Sequence, residues 1–396
     1  MTMELVDKSN PWWWDPEWHT RDPHISAWEA QRVKWTPQWL REIPLEEPSL
    51  TFVYGPRQIG KTTGLKLLIK RLVDERGPRS VAYLDLDVMA SLAEFRQTLE
   101  YLVREKRRLG VRRLVLILDE VTAVEGWWRV LKYFIDSGDL RGDVVIASGS
   151  SAVGLAKTPE RFPGRRGAGR DIVVLPLSFP QYVEARGFDK RRAAADPATA
   201  SALFEDYLRT GGFPKSINCH PDAERSLMDA LISEAYRHGK SPRLLQDILG
   251  AIVDAAPGPT SYHAVAQELG ISHNTVREYV EFLQDIFVIG VSHLRSGGKI
   301  YRRKEKKLFF RDPFVYRTAA LWTGRQYRQE AALEHVIAEH LYRKWGEIYY
   351  ERNKAEVDAV AGPLRVEVKL SRPRRSYPPD VVVVTMENAP RFLLEL

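Results

Sequence analysis

One cysteine, Cys219, stands in 396 residues. That excludes an internal disulfide and makes a thiolate zinc cage within one chain untenable. Long apolar runs are missing as well: nothing approaches the roughly 20 residues of a membrane-spanning helix, so a membrane is not an expected partner. The opening Met1-Thr2-Met3-Glu4-Leu5-Val6-Asp7 lacks the basic-then-apolar plan of an export signal, and a cytoplasmic location is expected. Acidic residues are outnumbered, 52 against 59 basic ones, for a net charge of +7. This is a mild pull toward polyanions, meaningful only where the charge is concentrated. With 44% hydrophobic and 28% charged residues the chain reads as globular. Its length calls for several cores.

The strongest local pattern is Gly55-Pro56-Arg57-Gln58-Ile59-Gly60-Lys61-Thr62-Thr63. It follows the apolar run Leu50–Tyr54 and precedes an amphipathic segment with Leu65, Leu68, Ile69 and Leu72. A glycine-bounded loop between a strand and a helix turns consecutive N–H groups onto phosphate oxygens, backed by the helix's positive end. Lys61 would reach the β- and γ-phosphates of ATP, and the Thr62 hydroxyl would ligate Mg²⁺. A second apolar run, Leu114–Leu118, ends in Asp119 and Glu120. Asp119 would help hold Mg²⁺ and Glu120 would orient or deprotonate the attacking water.

Asp143–Ser151 is a third strand ending in hydroxyls. Ser148 and Ser150 read either as polar sensors of the γ-phosphate or as turn and cap residues. Ser80–Asp87 supplies a further strand, and the alternation of strands with helices predicts a parallel sheet. On the glycine-rich stretch Phe162–Arg170, Arg165 and Arg166 could reach the γ-phosphate of a neighbouring subunit, which would make the protein a homo-oligomer. The bland alternative is a mobile, solvated loop.

Taken in order, the P-loop, Leu118-Asp119-Glu120, Ser148-Gly149-Ser150-Ser151, Gly164-Arg165, Leu175–Phe179 and Gly211-Gly212-Phe213-Pro214 resemble a group of archaeal and bacterial AAA+-type ATPases. The opening Asn10-Pro11-Trp12-Trp13 is similar to archaeal members. The resemblance implies an α/β P-loop NTPase core followed by a helical lid, a winged helix-turn-helix and a C-terminal restriction-endonuclease-like domain. The expected divisions are 1–48, a tryptophan-rich segment; 49–186, the ATPase core; 187–258, the lid; 259–328, the winged helix; and 329–396, the nuclease-like domain.

Thr260–Ile289 reads as helix-turn-helix, with Val265, Ala266 and Leu269 inward on the first helix and Val276, Tyr279, Val280 and Leu283 on the second. His273, Asn274 and Arg277 would be exposed toward DNA. Lys299–Phe310 looks like a wing strand carrying Arg302, Arg303 and Lys304. Eleven basic residues against three acids between Gly290 and Glu330 favour a phosphate backbone. A winged helix used only for packing or protein contacts is the competing reading.

Near the C-terminus, Asp358, Glu367 and Lys369 fall on two short runs around a turn, and Glu334 lies on the preceding amphipathic helix. Alternation places Glu367 and Lys369 on one strand face. The set resembles a PD-(D/E)xK nuclease core with Val-Asp in place of Pro-Asp. That resemblance implies Asp358 and Glu367 as ligands for Mg²⁺ or Mn²⁺. An acid pair on a plain hairpin is the alternative. Seven of eleven tryptophans sit in the first 48 residues. They form either a wrap over the ATPase core or a neighbouring subunit, or a base-stacking platform. The expectation is an ATPase that remodels or processes DNA; an ATP-controlled signalling or assembly switch with a degenerate nuclease-like scaffold is the alternative.

Overall fold

The computed structural model describes residues 2–150, 162–352, 356–373 and 376–396. The chain divides into two compact units, Met1–Leu175 and Pro176–Leu396. Among the described residues no helix is long and apolar enough to cross a membrane.

The first unit opens with α1 (Thr2–Ser9), α2 (Trp18–Arg21) and α3 (Pro23–Glu29), then alternates strand and helix. Its strands are β1 (Ser49–Tyr54), β2 (Val81–Asp85), β3 (Val115–Asp119), β4 (Val144–Gly149) and β5 (Asp171–Val173). Its later helices are α4 (Lys61–Arg76), α5 (Leu92–Arg108) and α6 (Trp127–Asp136). The sheet order is β2-β3-β4-β1-β5, and every pairing is parallel. β1, β3 and β4 are buried at every position, as uninterrupted apolar strands must be when both faces are covered. α5 shows why such helices form: Phe95, Leu99, Leu102 and Val103 share one buried stripe, Ser91 caps its start, and Lys106, Arg107 and Arg108 close it.

β2 is an edge strand, and the tryptophan-rich segment covers it. The Asn10 side chain accepts from Tyr83 N at 2.7 Å and donates to Tyr83 O at 3.0 Å, standing in for a neighbouring strand. Trp12 and Trp13 each donate an indole N–H to Val81 O, at 3.0 and 2.9 Å. An otherwise bare row of backbone groups is thereby satisfied, which protects the edge against pairing with another chain. Trp12 and Trp18 are buried, whereas Trp14 remains exposed.

The second unit begins with helices α7 (Phe179–Ala185), α8 (Lys190–Ala195), α9 (Pro197–Thr210), α10 (Pro214–Ile217), α11 (Ala223–Arg237) and α12 (Pro242–Ala255). The turn of Gly211-Gly212 is set by Asp312. A Cβ on Gly211, whose φ is 62°, would lie 2.0 Å from Asp312 Oδ1, and Gly212 N donates to Asp312 Oδ2 at 2.8 Å. Next come α13 (Tyr262–Leu269) and α14 (His273–Asp285), joined by a turn at left-handed Gly270 and capped by Ser261 and Ser272. Val265 and Ala266 are buried and Leu269 is half-buried; all four apolar residues expected on the second helix are buried.

The hairpin of β6 (Ile289–Ser296) and β7 (Lys299–Phe310) follows, then α15 (Pro313–Thr323) and α16 (Gln329–Trp345). β8 (Tyr349–Arg352), β9 (Glu356–Ala361), β10 (Leu364–Lys369), β11 (Val381–Thr385) and α17 (Ala389–Glu395) complete the chain. These strands form one mixed sheet of order β11-β10-β9-β8-β6-β7. The hairpin is therefore hydrogen-bonded into the same sheet as the C-terminal strands, through parallel pairing of β6 with β8. The 328/329 division runs between strands of a single sheet, because a long-range backbone ladder leaves no trace in local composition.

Candidate functional site

Three adjacent strand ends build the site. Register places Tyr54 of β1 beside Gly149 of β4, and Ala147 of β4 beside Leu118 of β3. The loop after β1, the hydroxyl end of β4 and Asp119 therefore emerge at one end of the sheet. With neighbouring strands about 4.8 Å apart, the whole group spans roughly 10 Å. Strand carboxyl ends of open α/β sheets are where ligands bind.

In the P-loop, Gln58 and Gly60 both adopt positive φ, 65° and 86°, and α4 starts at Lys61. Such alternation curls the backbone into a cradle of N–H groups beneath the helix N-terminus. Gly55 must lack a side chain, since a Cβ there would meet Val174 O at 2.0 Å. Pro56 and Ile59 are buried, Arg57 is half-buried and Gln58 exposed. Lys61 is buried, with its Nζ donating to Gly55 O at 2.9 Å and Pro56 O at 3.0 Å, across the mouth of the loop. Thr62 and Thr63 occupy the first turn of α4. This donor set is of the kind that takes a triphosphate, and Thr62 and Asp119 supply oxygens of the kind a divalent cation takes.

Asp119 is buried and its oxygens are fixed. Oδ1 accepts from the Ser148 hydroxyl and from Glu120 N at 3.1 Å; Oδ2 accepts from the Tyr83 hydroxyl at 3.0 Å. Glu120 is half-buried at φ 49°, a conformation costly for a non-glycine residue and found preferentially at functional sites. Ser150 is buried beyond the end of β4, and Ser151 lies outside the described residues.

Behind Asp119 lies a network that local pattern did not reveal. Lys66 Nζ sits 3.9 Å from the Tyr83 ring centroid and 3.6 Å from Asp22 Oδ2. Burial pushes the Lys66 ammonium pKa down, while Asp22 and Asp119 pull it back. Burial, then Asp119, holds the Tyr83 phenol well above its ordinary range, so it stays a proton donor. Burial also raises Asp85, with Asp119 adding to the effect.

Arg165 and Arg166 are not brought to this group. Arg165 lies on Asp136, Nε to Oδ1 2.5 Å, and Arg166 on Asp171 at 2.8 Å. Leu50 N donates to Arg166 O, so the pair sits at the amino end of β1, a strand's length from the P-loop. Within one chain they cannot meet the same phosphate as Lys61.

In the second unit His273, Asn274 and Arg277 are exposed on α14, as are Arg302, Arg303 and Lys304 on β7. Thr260 and Lys306 exchange backbone hydrogen bonds, 2.9 and 2.8 Å, tying β7 to the start of the helix pair. The C-terminal acids come together as well. Ala359 pairs with Val366, so Asp358 and Glu367 stand one step further along the same ladder. Lys369 Nζ is 2.8 Å from Glu367 and 3.8 Å from Asp358. An unforeseen member joins them: Lys307 of β7 donates to Glu334 Oε1 at 2.9 Å and Asp358 Oδ1 at 2.6 Å. Among the described residues no group of three or more His, Cys, Asp or Glu is disposed to hold a metal. Lys307 thus stands between two of the acids expected at a nuclease-like site.

Comparison with known proteins agrees with the first unit. Residues 47–183 match the family model described as an AAA domain, and residues 201–326 match a domain of unknown function (DUF8612). A Haemophilus influenzae protein described as uncharacterized is 21% identical over 363 residues, covering 86% of this chain and 88% of that protein. Among solved structures, the Aeropyrum pernix ORC2 protein in ADPNP–ADP complexes aligns at 12% identity and a TM-score of 0.40. That alignment covers 71% of this chain and 89% of that one. The Thermotoga maritima RuvB Holliday junction branch migration motor aligns at 15% identity and 0.33, over 82% and 99%. At these scores the superpositions fix no activity. Residues 47–183 match an AAA-type P-loop domain by family model, and their parallel α/β sheet carries the P-loop that such a domain requires.

Proposed function

We propose that this protein is an Mg²⁺-dependent ATPase of AAA type that works on DNA. One observation carries the reading: the P-loop with Lys61, the fixed Asp119 and Glu120 emerge side by side from one end of a parallel sheet. The cradle and Lys61 hold the β- and γ-phosphates and offset the charge that grows on them during transfer to water. Glu120 takes the proton of the attacking water as the bond to the leaving ADP oxygen breaks. Thr62 and Asp119 would hold Mg²⁺, which neutralises phosphate charge when bound. Ser148 and Tyr83 keep Asp119 in place, and Ser150, buried just past the end of β4, would sense the γ-phosphate. Arg165 and Arg166, remote from their own P-loop, would act on that of a neighbouring copy, making the active form a homo-oligomer.

The helix pair α13–α14 with the β6–β7 hairpin supports a winged-helix reading, and the helices of 187–258 a lid. Exposed His273, Asn274, Arg277, Arg302, Arg303 and Lys304 offer phosphate and base-edge contacts on this part. Hydrolysis measured with duplex, single-stranded and branched DNA tests the proposal: stimulation by at least one of them is expected. Full turnover in Lys61→Ala would sink the catalytic assignment. An ATP-controlled assembly switch is the second reading, favoured by the lysine-filled acid cluster. It predicts hydrolysis indifferent to every DNA.

A further inference from the structure

We propose that Lys307 takes the place of a metal ion in the C-terminal acid group, so that this sheet is a braced scaffold rather than a metal-dependent nuclease. The inference stands apart from the ATPase reading, since it concerns only residues of the second unit.

The geometry is specific. Lys307 Nζ lies between Glu334 Oε1 and Asp358 Oδ1, so an ammonium group already joins Asp358, one of the two expected metal ligands, to the helix acid. The other Asp358 oxygen accepts Val368 N at 2.8 Å. Glu367 accepts from the Tyr377 hydroxyl at 3.0 Å and pairs with Lys369 at 2.8 Å. A hard divalent cation needs about six oxygens in close array. Here each carboxylate already answers a protein donor, and two of the donors are ammonium groups.

Lys307 cannot simply swing aside. It is 5% exposed, and Glu334 and Asp358 are 8% and 7% exposed, so its departure would strand two carboxylates away from water. Burial and the neighbouring Asp358 push Glu334 up to about 8, against the pull of Lys307. Burial works against the Lys307 charge, but Glu334 and Asp358 hold its pKa above the ordinary lysine range.

The brace also has a structural use. β7 is the edge strand of the sheet, and Lys307 ties it to α16 and to β9, which is three strands away across the sheet. Arg302, Arg303 and Lys304 lie on the same strand, so the brace anchors the element that presents them.

The test uses the full chain without nucleotide, titrated with Mn²⁺ and followed by electron paramagnetic resonance and by melting temperature. Mn²⁺ uptake by wild type is expected to equal that of Asp358→Asn and of the milder Glu334→Gln, which keeps an oxygen for Lys307. Lys307→Met is expected to melt lower than wild type and to regain stability with Mn²⁺, a gain abolished again in Lys307→Met/Asp358→Asn. Mn²⁺ uptake or Mn²⁺-dependent DNA cleavage by wild type that Asp358→Asn removes would overturn the proposal. So would a Lys307→Met protein that melts like wild type. If Lys307→Met does not fold, the comparison of wild type with Asp358→Asn and Glu334→Gln decides alone.

Discussion

Tyr83 donates its hydroxyl to Asp119 Oδ2 across the β2–β3 pair at 3.0 Å. The same tyrosine receives the Asn10 side chain on its backbone and the Lys66 ammonium on its ring. The buried carboxylate at the end of β3 is thus connected, within three side chains, to the tryptophan-rich segment that covers the sheet edge. A hydrogen bond to a charged group is worth about 1.5–3 kcal/mol. Tyr83→Phe is expected to raise the Mg²⁺ concentration needed for half-maximal hydrolysis by roughly tenfold or more, with the fold intact. An unchanged Mg²⁺ titration would show that the tyrosine only packs.

Lys61 and Glu120 separate binding from hydrolysis. Loss of a preorganised charge at the transferring phosphoryl group costs about 10² to 10³ in rate, so Lys61→Ala should fall at least that far. Glu120→Gln should retain ATP binding while hydrolysis stops. Equilibrium binding of a fluorescent ATP analogue, set beside phosphate release, distinguishes the two variants; equal loss of binding in both would count against the assigned roles.

For the β7 basic stretch, affinity should track salt. Each phosphate contact adds about 0.9 to the slope of log affinity against log salt. Replacing Arg302, Arg303 and Lys304 together with alanine should reduce that slope by roughly two to three, with little effect on basal ATP hydrolysis. A slope identical to wild type would place the DNA contacts elsewhere.

Asp312 makes the second unit sensitive to pH. Burial raises its pKa to about 7 from 3.8, even though Gly212 and Phe314 donate backbone hydrogen bonds to its ionised form. A carboxyl whose folded value exceeds its unfolded value binds protons more tightly when folded. Its contribution is therefore complete below about pH 4 and falls as pH rises toward 7, by on the order of 4 kcal/mol in total. Urea unfolding of wild type should weaken over that interval, and Asp312→Asn should flatten the trend. A slope of the opposite sign, or one untouched by the substitution, would refute the assignment.

Features governed by nearest neighbours are legible in the amino-acid sequence. Gly60 before Lys61, the apolar runs ending at Asp119 and Ser148, and Ser272 ahead of an amphipathic helix each depend on a few consecutive residues. The same holds for Glu367 and Lys369, two positions apart on one strand face. Tyr83 and Lys66 were not legible as parts of the nucleotide site: one reads as an ordinary strand aromatic, the other as a solvated helix lysine. Only packing puts the ammonium on the ring and the hydroxyl on Asp119.

Lys307 marks the division most clearly. By sequence it is the last lysine of a basic run, 27 residues from Glu334 and 51 from Asp358. A charged residue in such a run is ordinarily exposed, and Arg302, Arg303 and Lys304 are. Which of these cations is buried depends on the strand order that lays β7 beside β6 and under α16, a long-range arrangement that no local pattern encodes. Backbone geometry and periodicity act over a few residues, so the glycine-bounded loop before α4, the acids at the strand ends and the paired helices follow from the order of residues alone. Tertiary structure alone decided which partner each buried charge received, because desolvation makes every such charge seek the nearest opposite one the fold supplies.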